Sequence, residues 1–184
     1  MKRFLVLFLS VSCISITVSA QSKFFTKSGK ILFFSKAPLE DIEAKNKSAV
    51  CLLDTQSGTL QFSVLMKGFE FENDLMQEHF NDDYVESQKF PKAEFKGQII
   101  NNASINYKKA GIYPAKVKGK LTIHGETKDI ETVGTIAVNG ENLHVTSNFP
   151  ILLSDYKIKI PSLVKDKVSN SIKLMVEGKL EPFQ

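Results

Sequence analysis

The chain has 184 residues, of which 24 are basic and 20 acidic, giving a formal net charge of +4 at pH 7. Lysines and acidic residues alternate without a single-sign run, which argues against nucleic acid as the partner. The length suits one domain with a sizeable core, and 14 phenylalanines supply large apolar area in the absence of tryptophan.

The first twenty residues have the three parts of a secretory signal peptide. Lys2 and Arg3 precede an apolar stretch from Phe4 to Val18, and the segment closes on the small residue Ala20. The sequence therefore predicts a signal peptide at residues 1–20, a mature domain at residues 21–184, and a protein that is exported to a periplasm or secreted. A buried N-terminal helix is the first alternative.

Two cysteines bear on processing and stability. Cys13 lies in the apolar stretch, so lipoprotein processing there is a second alternative, although the leucine expected three residues earlier is missing. Cys51 is then the one cysteine of the mature chain, which excludes an internal disulfide, and its apolar neighbours predict a buried thiol. No later segment is apolar enough to span a bilayer, so stable membrane insertion is not expected.

Apolar and polar residues alternate along most of the mature chain, which is typical of strands with one covered and one solvated face. The clearest runs are Leu60–Met66, Gly111–His124 and Ile172–Leu180. Further strands are predicted at Lys23–Lys27, Lys30–Ser35, Ala49–Leu53, Glu94–Ile100, Asp129–Val138 and Leu143–Phe149. Asn139-Gly140 between two such runs predicts a tight hairpin.

The length of the strands favours a barrel. The run Gly111–His124 would reach roughly 40 Å at about 3.3 Å per residue, which is long for a globular strand. Long antiparallel amphipathic strands lose their exposed edges by closing on themselves. The predicted fold is therefore all-β, an extended eight-stranded antiparallel barrel, and a barrel of this size can hold a small ligand.

Three segments interrupt the alternation. Residues Asn73–Tyr84 predict one short helix in a long connection, with Asp74 and Gln77 arranged as a capping box. Residues 36–44 are expected to form one helical turn, and the apolar residues of 155–167 follow neither a helical nor a strand periodicity.

Signals for catalysis are poor. His79 has no second histidine four residues away, and the chain contains neither a glycine-rich phosphate loop nor a nucleophile elbow. His124 and His144 are expected on the solvated face at strand ends. We therefore predict no catalytic residues, no metal and no cofactor. The enzymatic alternative would use Glu78, His79 and Asp83 around the helix.

Several segments together resemble one known family. They are Phe33–Ala44, Lys67–Phe71 followed by Leu75–Asn81, Ser87–Gly97 with its Phe-Pro step, Val117–Lys128, and Asp155–Ile158. This combination, which spans essentially the whole mature chain, resembles the YceI-like proteins. The resemblance implies a lipocalin-like antiparallel barrel that binds a polyisoprenoid or a similar amphiphile in its bore, without catalytic residues or a metal.

The alternation itself predicts which residues would line such a bore. If the apolar set faces inward, the lining comes from Phe62, Val64, Val117, Leu121, Ile123, Ile136, Val145, Ile172, Leu174 and Val176. The leading hypothesis is a carrier of a long apolar lipid such as a polyisoprenoid or isoprenoid quinone. The alternative is a barrel filled by its own side chains that serves as a protein-interaction or structural module. A homodimer is compatible with both.

Overall fold

The computed structural model describes residues 22–183, so the predicted signal peptide and Cys13 lie outside the described residues. The strands are β1 (Lys23–Lys36), β2 (Asp41–Asp54), β3 (Thr59–Leu65), β4 (Glu70–Phe71), β5 (Lys92–Ile99), β6 (Gly111–Ile123), β7 (Glu126–Asn139), β8 (Asn142–Leu152) and β9 (Ser171–Pro182). One α-helix, α1 (Asp74–His79), continues through a wider turn to Tyr84. No helix among residues 22–183 is both long and apolar enough to cross a membrane.

Eight of the strands close into one antiparallel barrel. Their order is β1-β9-β8-β7-β6-β5-β3-β2, and β2 pairs again with β1. The two-residue β4 pairs with β2 at Ala44 and Lys45, beyond the end of β3. The predicted fold class, an eight-stranded antiparallel barrel with one short helix in a long connection, is confirmed.

The first hairpin differs from the sequence prediction. The two strands expected before Lys36 are one strand, β1, whose register shifts around Gly29. The helical turn expected within residues 36–44 is wrong, because Lys36 pairs with Asp41 and β2 begins there. The apolar alternation at the start of β2 is short, because the next inward residue after Ala44 is the polar but fully buried Asn46.

Helix α1 begins one residue earlier than the predicted capping box implies. Asn73 is the N-cap, and its Oδ1 accepts hydrogen bonds from the backbone N–H groups of Leu75 at 2.9 Å and Met76 at 3.3 Å. Asp74 is the first helical residue, so the Asp74–Gln77 capping box is wrong. Gln77 instead accepts a hydrogen bond from the N–H of Phe71, which ties the helix to β4.

The two ends of the barrel are built differently. At one end, the turn after β2 contacts residues 100–110, where Tyr107 Oη donates to Asn102 Oδ1 at 2.6 Å and Asn102 Nδ2 donates to Thr55 O at 2.8 Å. Leu53 and Leu180 are fully buried beneath them. We call this the closed end. The opposite end carries the β1–β2 turn, helix α1 and residues 153–170, and we call it the open end.

Candidate functional site

A cavity of about 520 Å³ occupies the half of the bore that faces the open end. All eight barrel strands contribute to its wall, and its lining is predominantly apolar. Its volume lies within the range of about 300–1,000 Å³ that is typical of small-molecule sites. The cavity is therefore the first candidate for a functional site.

Eight of the ten predicted lining residues reach this cavity. They are Phe62, Val64, Val117, Leu121, Ile123, Ile172, Leu174 and Val176. Ile136 and Val145 lie deeper and contribute to a separate pocket of about 40 Å³. The structure thus places all ten on the inner face of the barrel, while their role in binding a ligand stays a prediction.

Sequence analysis missed an aromatic cluster at the open end. Four phenylalanine rings line the cavity there: Phe33 on β1, Phe71 on β4, Phe69 just before β4, and Phe80 just after α1. Their ring centroids lie 5.0–5.7 Å apart in five pairs. The cluster packs the segment that carries α1 against β1. Its one sequence signal was the alternation of Phe69 and Phe71 around Glu70.

A pair of glycines shapes the opposite wall. Gly97 on β5 and Gly119 on β6 are direct partners in the ladder, and a Cβ atom on either residue would collide with the ring of Phe95. Phe95 lines the cavity. The two glycines therefore let this ring lie against the sheet and leave the bore open.

The barrel wall is incomplete between β7 and β8. These strands pair from Gly134–Ser147 to Asn139–Asn142, and the ladder does not continue toward the open end. Ser147 Oγ donates to the carbonyl oxygen of Val133 at 2.8 Å and takes the place of the missing strand partner. The cavity reaches this gap, because Ile130 on β7 and Phe149 on β8 both line it.

Residues 153–158 cover the gap, and we call them the strap. Tyr156 in the strap is 1% exposed. His124 Nδ1 lies 3.0 Å from Tyr156 O, and His124 Nε2 lies 2.7 Å from Glu86 Oε2. Lys157 Nζ contacts Glu126 Oε1 at 2.7 Å, and this hydrogen bond holds the pKa of Glu126 below its usual value. The strap is therefore fastened to the β6–β7 hairpin.

The expectation that His124 lies on the solvated face is wrong. Its side chain is 12% exposed and packs against the ring of Phe90, with centroids 4.5 Å apart. His124, Glu86 and Lys157 are the three non-glycine residues with positive φ among residues 22–183, at 51°, 44° and 56°. Such conformations cost on the order of 1–3 kcal/mol each, so the contacts around the strap must hold them.

The three histidines do not meet. His79 on α1 lines the cavity at the open end, His124 fastens the strap, and His144 Nε2 lies 3.1 Å from Glu177 Oε1 on β9. Within residues 22–183, no group of three or more His, Cys, Asp or Glu side chains could hold a metal ion. Of the residues in the enzymatic alternative, the cavity lining includes His79 but neither Glu78 nor Asp83.

The polar residues of the lining gather largely at the open end. Glu40 in the β1–β2 turn, Asn73 and His79 at α1, and Lys167 beyond the strap all contribute to it. Leu153, Ile158, Val164 and Val168 from residues 153–170 add apolar lining, which sequence analysis missed because this segment has no period. The site can thus surround an apolar chain and place a polar group near solvent.

The sequence profile of the YceI-like domain matches residues 10–180. The chain belongs to the YceI-like family. Its fold is shared with a polyisoprenoid binding domain from Saccharophagus degradans, with a TM-score of 0.77 and 14% identity over 89% of this chain and 99% of that one. It is also shared with BcnA of Burkholderia cenocepacia, with a TM-score of 0.68 and 21% identity over 83% and 95% of the two chains.

The Campylobacter jejuni YCEI protein is a third structure of the same fold, with a TM-score of 0.58 and 19% identity over the whole of both chains. No curated protein sequence matches the chain. Because these identities are low, the structural likeness supports the fold and leaves the cargo to be argued from the cavity itself.

Proposed function

We propose that this protein is an exported, non-catalytic carrier that encloses the chain of an isoprenoid-type lipid, such as a polyisoprenoid or isoprenoid quinone, in the 520 Å³ cavity. The observation that carries the proposal is an unfilled apolar bore with polar residues at its open end. Burial of apolar surface contributes about 25 cal/mol per Å², so a long hydrocarbon chain gains most of its affinity from the wall. The polar head would remain beside Asn73, His79 and Lys167.

Two observations support a carrier over a barrel filled by its own side chains. Phe62, Leu174 and Val176 point inward yet are only half-buried, because they face the cavity and not one another. A domain that shares this fold is described as polyisoprenoid binding. We further propose that export to a periplasm or secretion follows from residues 1–20, and that a homodimer is compatible with this role.

The test is organic extraction of the mature protein, purified without detergent from its own host, followed by mass spectrometry. We expect a near-stoichiometric lipid with an isoprenoid chain. Leu174→Asp, which places a charge inside the cavity, should abolish retention because an unpaired carboxylate is costly beside a hydrocarbon chain.

The matched control is Lys173→Asp, since Lys173 is the exposed neighbour on the same strand. It should retain the lipid at the wild-type ratio. An empty extract from folded wild-type protein would contradict the carrier and favour the protein-interaction alternative. Equal retention by the two variants would contradict the assignment of the inner face as the binding surface.

A further inference from the structure

The bore is divided into two parts by a layer of side chains. The large cavity and the pocket of about 40 Å³ share five lining residues, namely Leu60, Phe62, Val117, Ser147 and Val176. The small pocket, at about 40 Å³, has less than a tenth of the volume of the large cavity, at about 520 Å³. A chain that enters from the open end therefore meets this layer before it reaches the closed end.

Beyond the small pocket, the barrel is filled by its own side chains. Leu53 and Leu180 are fully buried, and Ile99, Ile136 and Leu143 are at most 2% exposed. Residues 100–110 cover them, with Ile105 buried against the core. The bore is thus a blind tube, open at one end and packed at the other.

Within the dividing layer, Phe62 has the largest side chain. Its ladder partners are the buried Cys51 on β2 and the cavity-lining Phe95 on β5. Phe62 and the smaller Val176 are half-buried, whereas Leu60 and Val117 are at most 7% exposed. The ring of Phe62 is therefore the part of the layer that a ligand would touch most.

We propose that Leu60, Phe62, Val117 and Val176 form a floor that sets the maximum chain length of the cargo, with Phe62 as the residue that determines it. The inference rests on the proposed function and adds to it a chain-length selectivity. Each methylene-sized group enclosed above the floor should strengthen binding from water about fourfold, whereas groups that cannot pass the floor must remain outside and add nothing.

The test is a competition among all-trans prenols that differ by one isoprene unit. Delipidated protein is incubated with an equimolar prenol mixture in phosphatidylcholine vesicles, separated by gel filtration and extracted, and the bound prenols are quantified by mass spectrometry. For the wild type, the bound amount should stay high up to a maximum chain length and fall beyond it, because units that remain outside the cavity exchange the bilayer for water. Phe62→Ala should move this maximum to a longer prenol by joining the two cavities.

The matched control is Phe149→Ala, which removes the same ring from the side wall near the strap and leaves the floor intact. It should weaken binding without moving the maximum. Val176→Phe, which raises the floor, should move the maximum to a shorter prenol. This variant decides the question if Phe62→Ala does not fold by circular dichroism, and Phe62→Leu is the milder replacement if neither folds.

An unchanged maximum in a folded Phe62→Ala or Val176→Phe protein that still binds prenols would overturn the floor and leave the carrier function standing. A shift in Phe149→Ala equal to that in Phe62→Ala would also overturn it. Failure of every prenol to bind the wild-type protein would instead overturn the proposed function, and the floor with it.

Discussion

At the scale of single residues, the reactivity of Cys51 tests how tightly the core is packed. It is fully buried on β2, opposite Phe62, and burial raises the pKa of its thiol well above the ordinary value. Since the thiolate is the reactive form, Cys51 can react only after the barrel opens.

We therefore expect native protein that begins at Gln21 to resist Ellman's reagent at neutral pH and to react fully and rapidly in concentrated urea. The chain from Gln21 onward contains one cysteine, so the colour change reports this site alone. Rapid reaction in buffer without denaturant would contradict the packing around β2.

At the scale of elements, the strap repairs a gap that the strands leave open. A ladder that stops at Gly134–Ser147 leaves an opening between β7 and β8, and residues 153–158 close it, with Leu153 and Ile158 lining the cavity. The strap is fastened mainly through His124, whose two ring nitrogens contact Glu86 Oε2 and Tyr156 O. One side chain thus joins the β6–β7 turn, the strap and the connection that carries Glu86.

His124→Ala should lower the free energy of unfolding by about 1–3 kcal/mol, since that is the cost of leaving a buried polar group, such as the carbonyl oxygen of Tyr156, without its partner. It should also accelerate amide hydrogen exchange in residues 153–158. Urea unfolding and mass-spectrometric hydrogen exchange measure the two effects.

The control for this variant is His144→Ala, because His144 is partly exposed on the outer wall, where it lies 3.1 Å from Glu177. Polar contacts between partly exposed side chains at the surface contribute about 0–1 kcal/mol even when both are charged, so this change should cost much less and leave strap exchange unaltered. Equal losses in the two variants would show that His124 does not fasten the strap.

At the scale of the whole molecule, two tyrosines couple stability to alkaline pH. Burial raises the pKa of Tyr107 at the closed end to about 12, and burial together with Asp155 raises that of Tyr156 in the strap to about 12. In the unfolded chain both titrate near pH 10. The unfolded state therefore loses these protons first.

The free energy of unfolding should be insensitive to these tyrosines below about pH 10 and should fall between about pH 10 and pH 12 as the unfolded state ionises. Tyr107→Phe and Tyr156→Phe should each make this decline shallower, and the double variant shallower still. Urea titrations across this pH range measure it, and a double variant with the wild-type slope would refute the coupling.

The sequence by itself determined most of the strands, the residues that share a face on each of them, and the short helix in the long connection. Period-two alternation is a local property: residues such as Leu121 and Ile123 share a face wherever the strand lies. The ten predicted lining residues do lie on one face of their strands, because backbone geometry alone fixes which side chains point the same way. The error at residues 36–44 arose where a buried polar residue, Asn46, interrupts the apolar alternation.

Only the tertiary structure decided which part of the bore is filled by side chains and which part remains a cavity. The floor needs Phe62 beside Val117 and Val176, the aromatic cluster needs Phe33 beside Phe80, and the strap needs His124 beside Tyr156. Each contact joins residues that are far apart in the sequence, and their meeting depends on how the barrel closes. Local periodicity carries no information about such distances, because they are set by strand order, by register and by the irregular connections at the open end.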